Sequence, residues 1–185
     1  MGIRADKSEI SFDKYVKETI NVLGGCGCLL VSGNIEKANV MAIGIGLIGL
    51  WWRKPIFMIG VRPTRHTYKF IEAVNDFTIN VPKRGMEEIV KYCGSVSGRE
   101  HDKFLEKGLT LRTSRKVNSP VINECIVHYE CRVAYKADVM KSALTGEILG
   151  SNYPSGNFHR VYFGEVLVAY ANKSAMNQLP LTCDF

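Results

Sequence analysis

The chain has 185 residues, a hydrophobic fraction of 46% and a formal net charge of +6. This length suits one domain with a sizeable core, so we predict a single domain over residues 1–185. The longest apolar run, Val40 to Trp52, contains three glycines and is too short to cross a bilayer. Because the N-terminus is polar and lacks a signal-peptide apolar region, we expect a cytoplasmic protein with no membrane partner.

Apolar periodicity and turn residues predict the elements of the first half. Residues 1–11 are polar and form an N-terminal arm. Apolar side chains at Tyr15, Val16, Ile20 and Leu23 then indicate a short helix. The strands expected next are 28–32, 38–44, 55–61 and 76–81. The expected helices are 64–74, capped by Thr64 or Thr67, and 85–93, ended by Gly94.

The second half is richer in strands. Residues 101–107 form a short helical turn, and residues 109–113 form a strand. Residues 122–140 alternate in character and predict one or two antiparallel strands. Residues 142–157 carry Gly, Ser, Asn and Pro and indicate an exposed loop before a last strand, 158–170. We expect the tail, residues 173–185, to be ordered only through a partner. Because strands dominate without regular strand–helix alternation, the sequence predicts a mainly β, antiparallel barrel with peripheral helices.

Three glycines within the apolar run resemble a dinucleotide fingerprint. Gly44, Gly46 and Gly49 match a loose GxGxxG pattern. That fingerprint requires a helix directly after it and an acidic residue about 20 positions on. Here the chain continues as Leu-Trp-Trp-Arg-Lys-Pro, and Glu72 is too distant. We therefore predict a strand with glycines at bends or beside a ligand.

The segment 62–67, Arg-Pro-Thr-Arg-His-Thr, is the densest group of phosphate-binding side chains. Arginine forms paired hydrogen bonds to phosphate, and N–H groups at a helix start complete such a site. The alternative is a solvated basic loop. A second polar loop, 93–104, either connects two helices or brings Ser97, Arg99 and Lys103 over the site. A lone histidine at a strand end, such as His159, is more often structural than catalytic.

The six cysteines are Cys26, Cys28, Cys93, Cys125, Cys131 and Cys183, and they include no CxxC pair. Without ligand spacing, we expect buried thiols and no metal site. The modest charge is spread along the chain. It therefore fits a phosphate-bearing small ligand as well as nucleic acid, and we expect no nucleic-acid partner, because clustered exposed aromatics are missing.

These motifs, taken in order, resemble the flavin reductase-like family, in its flavoredoxin-type branch. The matching stretches are 39–44 (Asn-Val-Met-Ala-Ile-Gly), 52–55, 61–67, 77–82, 93–104 and 159–166. Together they span roughly residues 23–171. The resemblance implies an antiparallel Greek-key split β-barrel that binds FMN non-covalently, usually at a homodimer interface. Ala42 stands where this family commonly has Thr or Ser, so a hydroxyl contact to the flavin is absent there.

The resemblance also implies a division of the site. Asn39, Val40, Met41, Ala42 and Ile43 would line the isoalloxazine ring. Arg62, Thr64, Arg65 and Thr67 would hold the phosphate, and Asn80, Val81 and Pro82 would lie along the ribityl chain or ring edge. Ser97 and Gly98 would close over the cofactor. Trp51 or Trp52, Lys103 and His159 would lie near the open flavin face, with His159 as the candidate catalytic residue.

The hypothesis is an FMN-dependent oxidoreductase. It would pass electrons from NADH, NADPH or a redox protein through FMN to a small-molecule or protein acceptor. The alternatives are an FMN electron carrier without nicotinamide activity, a non-redox flavin-binding protein, and a basic barrel that binds nucleic acid.

Overall fold

The structure, a computed structural model, describes residues 7–180. Within that range the chain forms ten strands and six α-helices. The strands are β1 (Lys7–Ile10), β2 (Cys28–Gly33), β3 (Ala38–Ile43), β4 (Gly46–Trp51), β5 (Lys54–Val61), β6 (Asp76–Val81), β7 (Leu111–Arg112), β8 (Val121–Ile122), β9 (Val127–Asp138) and β10 (Arg160–Asn172). The helices are α1 (Val16–Gly24), α2 (His66–Val74), α3 (Glu87–Ser95), α4 (Lys103–Glu106), α5 (Gly146–Asn152) and α6 (Ala175–Gln178).

Eight strands form one sheet, in which every pairing is antiparallel. Its path runs β3-β2-β6-β9-β10-β5-β4, and β1 pairs with β10 off this path. The predicted mainly β, antiparallel class is therefore confirmed. Because β3 and β4 end the path, one side of each has no strand partner within residues 7–180. Such an edge leaves backbone N–H and C=O groups available for a ligand or a second chain.

The glycine-rich run forms β3, β4 and the bend between them. Gly46 and Gly49 lie within strand β4, so the prediction of a strand in place of a nucleotide-binding helix is confirmed. The β4–β5 turn is built from Trp52 and Arg53, whose φ angles of 53° and 60° are left-handed. Two left-handed residues are the backbone requirement of a tight type I′ hairpin turn, in which Asn-Gly is the favoured pair. A tryptophan at the first position places a large ring at the end of the hairpin.

The main hydrophobic core is formed by buried side chains of β2, β5, β6, β9 and β10 together with those of α1 and α2. Phe57 and Tyr129 meet edge to face with ring centroids 5.5 Å apart. Gly164 allows β10 to pack directly against Phe77, because a Cβ there would overlap the ring of Phe77. The thiols of Cys28, Cys93, Cys125 and Cys131 are buried and free, as predicted, and Cys26 is half-buried. Cys183 lies outside the described residues.

Both chain ends differ from the sequence-based expectation. Lys7–Ile10, predicted as part of a polar arm, is strand β1, and its Lys7 Nζ donates to the carbonyls of Asn123 and Cys125, both at 2.8 Å. In the tail, Ala175 and Leu179 are 0% and 2% exposed within the core, so residues 173–180 pack on their own chain. Residues 1–6 and 181–185 lie outside the described range.

Three local predictions are wrong. Helix α3 continues through Gly94 to Ser95, so Gly94 does not end it. Residues 142–157 contain helix α5, whose start is capped by Thr145, because its hydroxyl accepts from the N–H of Ile148. Helix α2 starts after Arg65, which makes no side-chain cap hydrogen bond, so neither Thr64 nor Thr67 is the cap. None of the helices between residues 7 and 180 is long and apolar enough to cross a membrane.

Candidate functional site

A cleft runs beside edge strand β3. It consists of two adjoining cavities of about 340 and about 140 Å³, which share Met41, Ala42 and Arg65 as lining residues. We call them together the β3 cleft. The larger cavity is also lined by Asn39, Thr64, His66, Thr67, Cys93, Gly94, Ser95, Val96, Ser97, Gly98, Arg99 and Lys103. The smaller cavity is also lined by Ile43, Gly44, Ile45, Gly60, Arg62 and His159.

The wall of the larger cavity depends on one asparagine. Asn39 is 6% exposed, and its Nδ2 donates to Oγ1 of Thr67 at 2.6 Å. This bond ties β3 to the first turn of α2. A Cβ on Gly98 would overlap the carboxamide oxygen of Asn39, so only glycine permits this approach of the loop to the strand.

The ammonium of Lys103, the first residue of α4, is buried between β3 and α3. Lys103 is 4% exposed, and its Nζ donates to the carbonyls of Val40 at 2.9 Å and Cys93 at 2.7 Å. Within residues 7–180 it forms no ion pair with a carboxylate. Burial lowers its pKa and raises that of Cys93 to about 11, so the thiol stays protonated at neutral pH. Val40 itself is fully buried and presents only its carbonyl to this lysine.

The smaller cavity is bordered by a hydrogen-bonded chain of side chains. Nε of Arg62 donates to Nε2 of His159 at 3.4 Å, and the Tyr153 hydroxyl lies 2.8 Å from Nδ1 of His159. Because a guanidinium can only donate, Nε2 is the acceptor and Nδ1 carries the proton, which it donates to Tyr153. Burial and the charges of Arg62 and Arg65 lower the pKa of His159. The imidazole is therefore neutral at neutral pH.

Positively charged side chains surround the start of α2 where it borders the cleft. Arg65 lines both cavities and is exposed. Thr64 is held at its hydroxyl by Asn157 Nδ2 at 2.9 Å and at its carbonyl by Arg99 at 3.1 Å. Nδ1 of His66 is buried without a hydrogen-bond partner, and burial together with Lys69 and Arg99 lowers the pKa of this imidazole. A helix start with cations and free N–H groups suits an anion.

The structure brings most of the sequence-predicted residues to the β3 cleft. Six of them do not line it: Val40, Trp51, Trp52, Asn80, Val81 and Pro82. Asn80, Val81 and Pro82 are buried, and the Asn80 carboxamide oxygen accepts from the N–H of Ile122 at 3.0 Å. Trp51 is 56% exposed on the hairpin and packs beside Phe163 with ring centroids 6.2 Å apart.

Several residues of the cleft escaped the sequence analysis. His66 received no separate role, although it stands at the start of a helix within the predicted phosphate-binding segment. Tyr153 lay in a segment expected to be an exposed loop. Its only sequence signal was an aromatic side chain in an otherwise polar stretch. Within residues 7–180 no group of three or more His, Cys, Asp or Glu is arranged to hold a metal.

An exposed apolar surface lies on the β4–β5 hairpin. We call it the hairpin patch and define it by five side chains that are 49% to 68% exposed: Leu47, Leu50, Trp51, Trp52 and Tyr135. The rings of Trp51 and Trp52 meet edge to face at 6.0 Å, and Trp52 meets Tyr135 at the same distance. Trp51, Trp52 and Tyr135 form one exposed aromatic cluster, so the expectation that clustered exposed aromatics are missing is wrong. Exposed apolar surface of this kind marks an interaction surface.

Comparisons with known proteins find relatives in sequence and in structure. An uncharacterised protein of Pyrococcus abyssi is 35% identical over 137 residues, which are 70% of this chain and 74% of the relative. Flavoredoxin from Methanosarcina acetivorans has a similar structure, with a TM-score of 0.64 and 26% identity over 80% of this chain and 69% of that one. An FMN-binding protein from Thermus thermophilus superposes with a TM-score of 0.62 at 19% identity, over 80% and 71% of the two chains.

These likenesses confirm the predicted split-barrel fold. The family model for the Flavin reductase like domain matches residues 30–182, which include every residue that lines the β3 cleft. The chain belongs to the flavin reductase-like domain family.

Proposed function

We propose that this protein binds FMN non-covalently in the β3 cleft and works as an FMN-dependent oxidoreductase. The observation that carries the proposal is the cleft itself. Its lining combines edge strand β3, the glycines Gly94 and Gly98, and the positively charged start of α2. Its larger cavity of about 340 Å³ falls within the size range of small-molecule sites. Relatives described as flavoredoxin and as an FMN-binding protein support the same ligand.

The donor set of the cleft fits the cofactor. Arg65, Thr64 and the first N–H groups of α2 would hold the terminal phosphate, with Arg62 in reach once it leaves the carbonyl of Asn152, to which it donates at 2.9 Å. Met41, Ala42 and Ile43 would lie along the flat ring, with Gly94 and Gly98 opposite. Ser97 lines the same cavity and offers a hydroxyl.

Bound FMN would supply the redox chemistry, accepting a hydride from NADH or NADPH, or electrons from a redox protein, and passing them to an acceptor. The chain's residues would orient and enclose it. Lys103, an ammonium without a carboxylate partner, would favour negative charge in the cleft. Neutral His159 would border the ring and orient the incoming electron donor. Its imidazole can do so because the hydrogen bond from Nδ1 to the Tyr153 hydroxyl fixes its orientation.

A second candidate is an electron carrier that is reduced by another protein and not by nicotinamide. The flavoredoxin likeness favours it. Mixing the FMN-loaded protein with NADH or NADPH without oxygen separates the two functions. Bleaching of the flavin absorbance supports the reductase, and an unbleached flavin that a reduced redox protein does bleach supports the carrier.

The hairpin patch supports the proposal of a homodimer, because a second copy would cover tryptophans that are more than half exposed. We also propose that the protein works in the cytoplasm.

The test of FMN binding is direct. Purified protein should be yellow and should release FMN on denaturation. The protein should also bind FMN more tightly than riboflavin, which lacks the phosphate. Equal affinity for the two ligands contradicts the phosphate site, and a protein that binds neither contradicts the proposed function.

A further inference from the structure

The connection between β9 and β10 lies on the surface of the molecule. We call residues 140–158 of this connection the strap. The strap contains α5, and none of its side chains is buried. No strap residue belongs to the hydrophobic clusters that residues 7–180 form. Because apolar burial contributes so little, the position of the strap depends on its polar contacts.

Those polar contacts are concentrated at one place. Within residues 7–180, three hydrogen bonds join the strap to other segments, and all three end on residues that line the β3 cleft. Two of them involve residues predicted to bind phosphate. Arg62 donates to the carbonyl of Asn152 at 2.9 Å, and Nδ2 of Asn157 donates to the Thr64 hydroxyl at 2.9 Å. The strap is therefore attached to groups that a phosphate would need.

The third hydrogen bond involves no predicted phosphate ligand. It joins the Tyr153 hydroxyl to Nδ1 of His159 at 2.8 Å. Helix α5 has hydrogen bonds of its own within the strap, such as the one from the Ser151 hydroxyl to the carbonyl of Glu147 at 2.8 Å. The strap can therefore leave the phosphate-binding segment with α5 intact, while the Tyr153 contact is kept as a pivot.

We infer that the strap and a phosphate group bound in the β3 cleft compete for Arg62 and Thr64, so that loading of the cofactor releases the strap. This inference rests on the proposed function. Arg62 now donates to a neutral carbonyl, and the contact of a guanidinium with a phosphate is stronger. When Arg62 turns to the phosphate, Nε2 of His159 loses its donor as well. That nitrogen then becomes free to accept a hydrogen bond from a substrate only in the loaded protein.

The first test weakens the strap at a residue that does not line the cleft. Asn157 has a left-handed φ of 58°, so Asn157→Gly removes the carboxamide without straining the backbone. FMN should bind this variant about two- to fivefold more tightly, because one hydrogen bond no longer competes with the phosphate. Riboflavin affinity should stay unchanged. The matched control is Asn75→Gly, at an exposed position outside the cleft whose φ of 54° is also left-handed, and its FMN affinity should equal that of the parent protein.

The second test measures release of the strap with trypsin. Lys141 is exposed and is the only lysine or arginine in the strap. Cleavage of the full chain after Lys141 should be several-fold faster with saturating FMN, or with inorganic phosphate, than without a ligand. Riboflavin should not change the rate. Asn157→Gly should be cleaved faster than the parent protein without any ligand.

The outcomes separate this inference from the proposed function. FMN affinity that is equal or lower in Asn157→Gly overturns the inference, and so does equal acceleration of cleavage by riboflavin. If FMN binds and cleavage after Lys141 is unchanged or slower, the inference fails and the proposed function stands. If FMN does not bind, the proposed function fails by itself, and cleavage in inorganic phosphate then supports or overturns the competition.

Discussion

The hydroxyl of Tyr153 lies 2.8 Å from Nδ1 of His159, and this contact fixes the state of the imidazole. Arg62 donates to the opposite ring nitrogen at 3.4 Å, so the proton must lie on Nδ1. The histidine proposed for the open flavin face is thus neutral and held at both nitrogens. Its orientation depends on a tyrosine that follows helix α5.

Tyr153→Phe should slow flavin reduction by about three- to tenfold, because the loss of one hydrogen bond frees the ring of His159. FMN affinity should stay unchanged, since the phosphate ligands are untouched. Stopped-flow reduction and FMN titration measure the two effects. Tyr135→Phe is the matched control, as that tyrosine lies in the hairpin patch. An unchanged reduction rate in Tyr153→Phe means that the pair serves the fold alone.

Arg65→Ala should weaken FMN binding by roughly ten- to a hundredfold, because a charge-assisted hydrogen bond contributes about 1.5–3 kcal/mol. Riboflavin affinity should be nearly the same in the variant and the parent protein. Fluorescence titration with both flavins measures this difference. Lys91→Ala, at an exposed position of α3 outside the cleft, serves as the control. Equal losses for FMN and riboflavin would place Arg65 away from the phosphate.

Gly98→Ala should reduce FMN affinity without unfolding the chain. The new methyl group would overlap Oδ1 of Asn39, so the asparagine must move and its bond to Thr67 must stretch or break. The expected loss of FMN binding free energy is about 1 kcal/mol if only that hydrogen bond is broken, and it is larger if the loop is displaced. The control is Gly150→Ala in α5, where an added Cβ meets nothing within 4 Å. An affinity as high as that of the parent protein would show that the cleft tolerates the shift.

The sequence predicted the elements whose burial pattern is regular and missed those without one. Strands β5 and β6 were found because their apolar residues are continuous or alternate. Helix α5 was missed because it has no buried residue and therefore no apolar stripe. Strand β1 is short and mostly polar, and it exists through pairing with β10, which lies more than 150 positions away.

Site prediction was limited for a related reason. Local composition predicts a phosphate site at Arg62–Thr67, since those groups are neighbours along the chain. It does not show what a polar side chain in a strand faces. Asn80 was assigned to the cofactor, but its carboxamide bonds Leu29, Thr78, Ile122 and His128 inside the sheet. Its geometry follows from tertiary packing, which no local pattern records.

Leu50→Asp should shift the protein toward monomer if a second copy covers the hairpin patch. Leu50 is 68% exposed, so the substitution should not disturb the core of the monomer. The introduced aspartate would be costly to bury in an interface between two copies. Light scattering after size exclusion measures the oligomeric state. Leu105→Asp is the control, because Leu105 is 80% exposed and lies outside the patch. A parent protein that is already monomeric at high concentration contradicts the proposed homodimer.

The last prediction concerns acid stability and His128. This residue is fully buried; Lys7 Nζ lies 2.7 Å from its Nε2, and Asn80 Oδ1 lies 2.8 Å from its Nδ1. Because lysine donates, Nε2 accepts, and the Nδ1 proton goes to Asn80. Burial first, and then the charge of Lys7, holds the pKa of His128 well below its ordinary value of 6.5.

The unfolded chain therefore binds this proton before the folded chain does, and stability should fall as pH drops below the ordinary histidine value. Lys7, whose pKa burial lowers to about 8, is partly deprotonated at the upper end of this window and fully protonated at its acidic end, so it adds to the slope only near about pH 7.5 and with the same sign. Urea unfolding at about pH 7.5 and about pH 5 should show a lower midpoint at the acidic pH. His128→Gln should cost about 1–3 kcal/mol at neutral pH through its broken hydrogen bonds, and its stability should depend less on pH. A variant as acid-sensitive as the parent protein would assign the effect to His66 and His159, whose pKa values are also lowered.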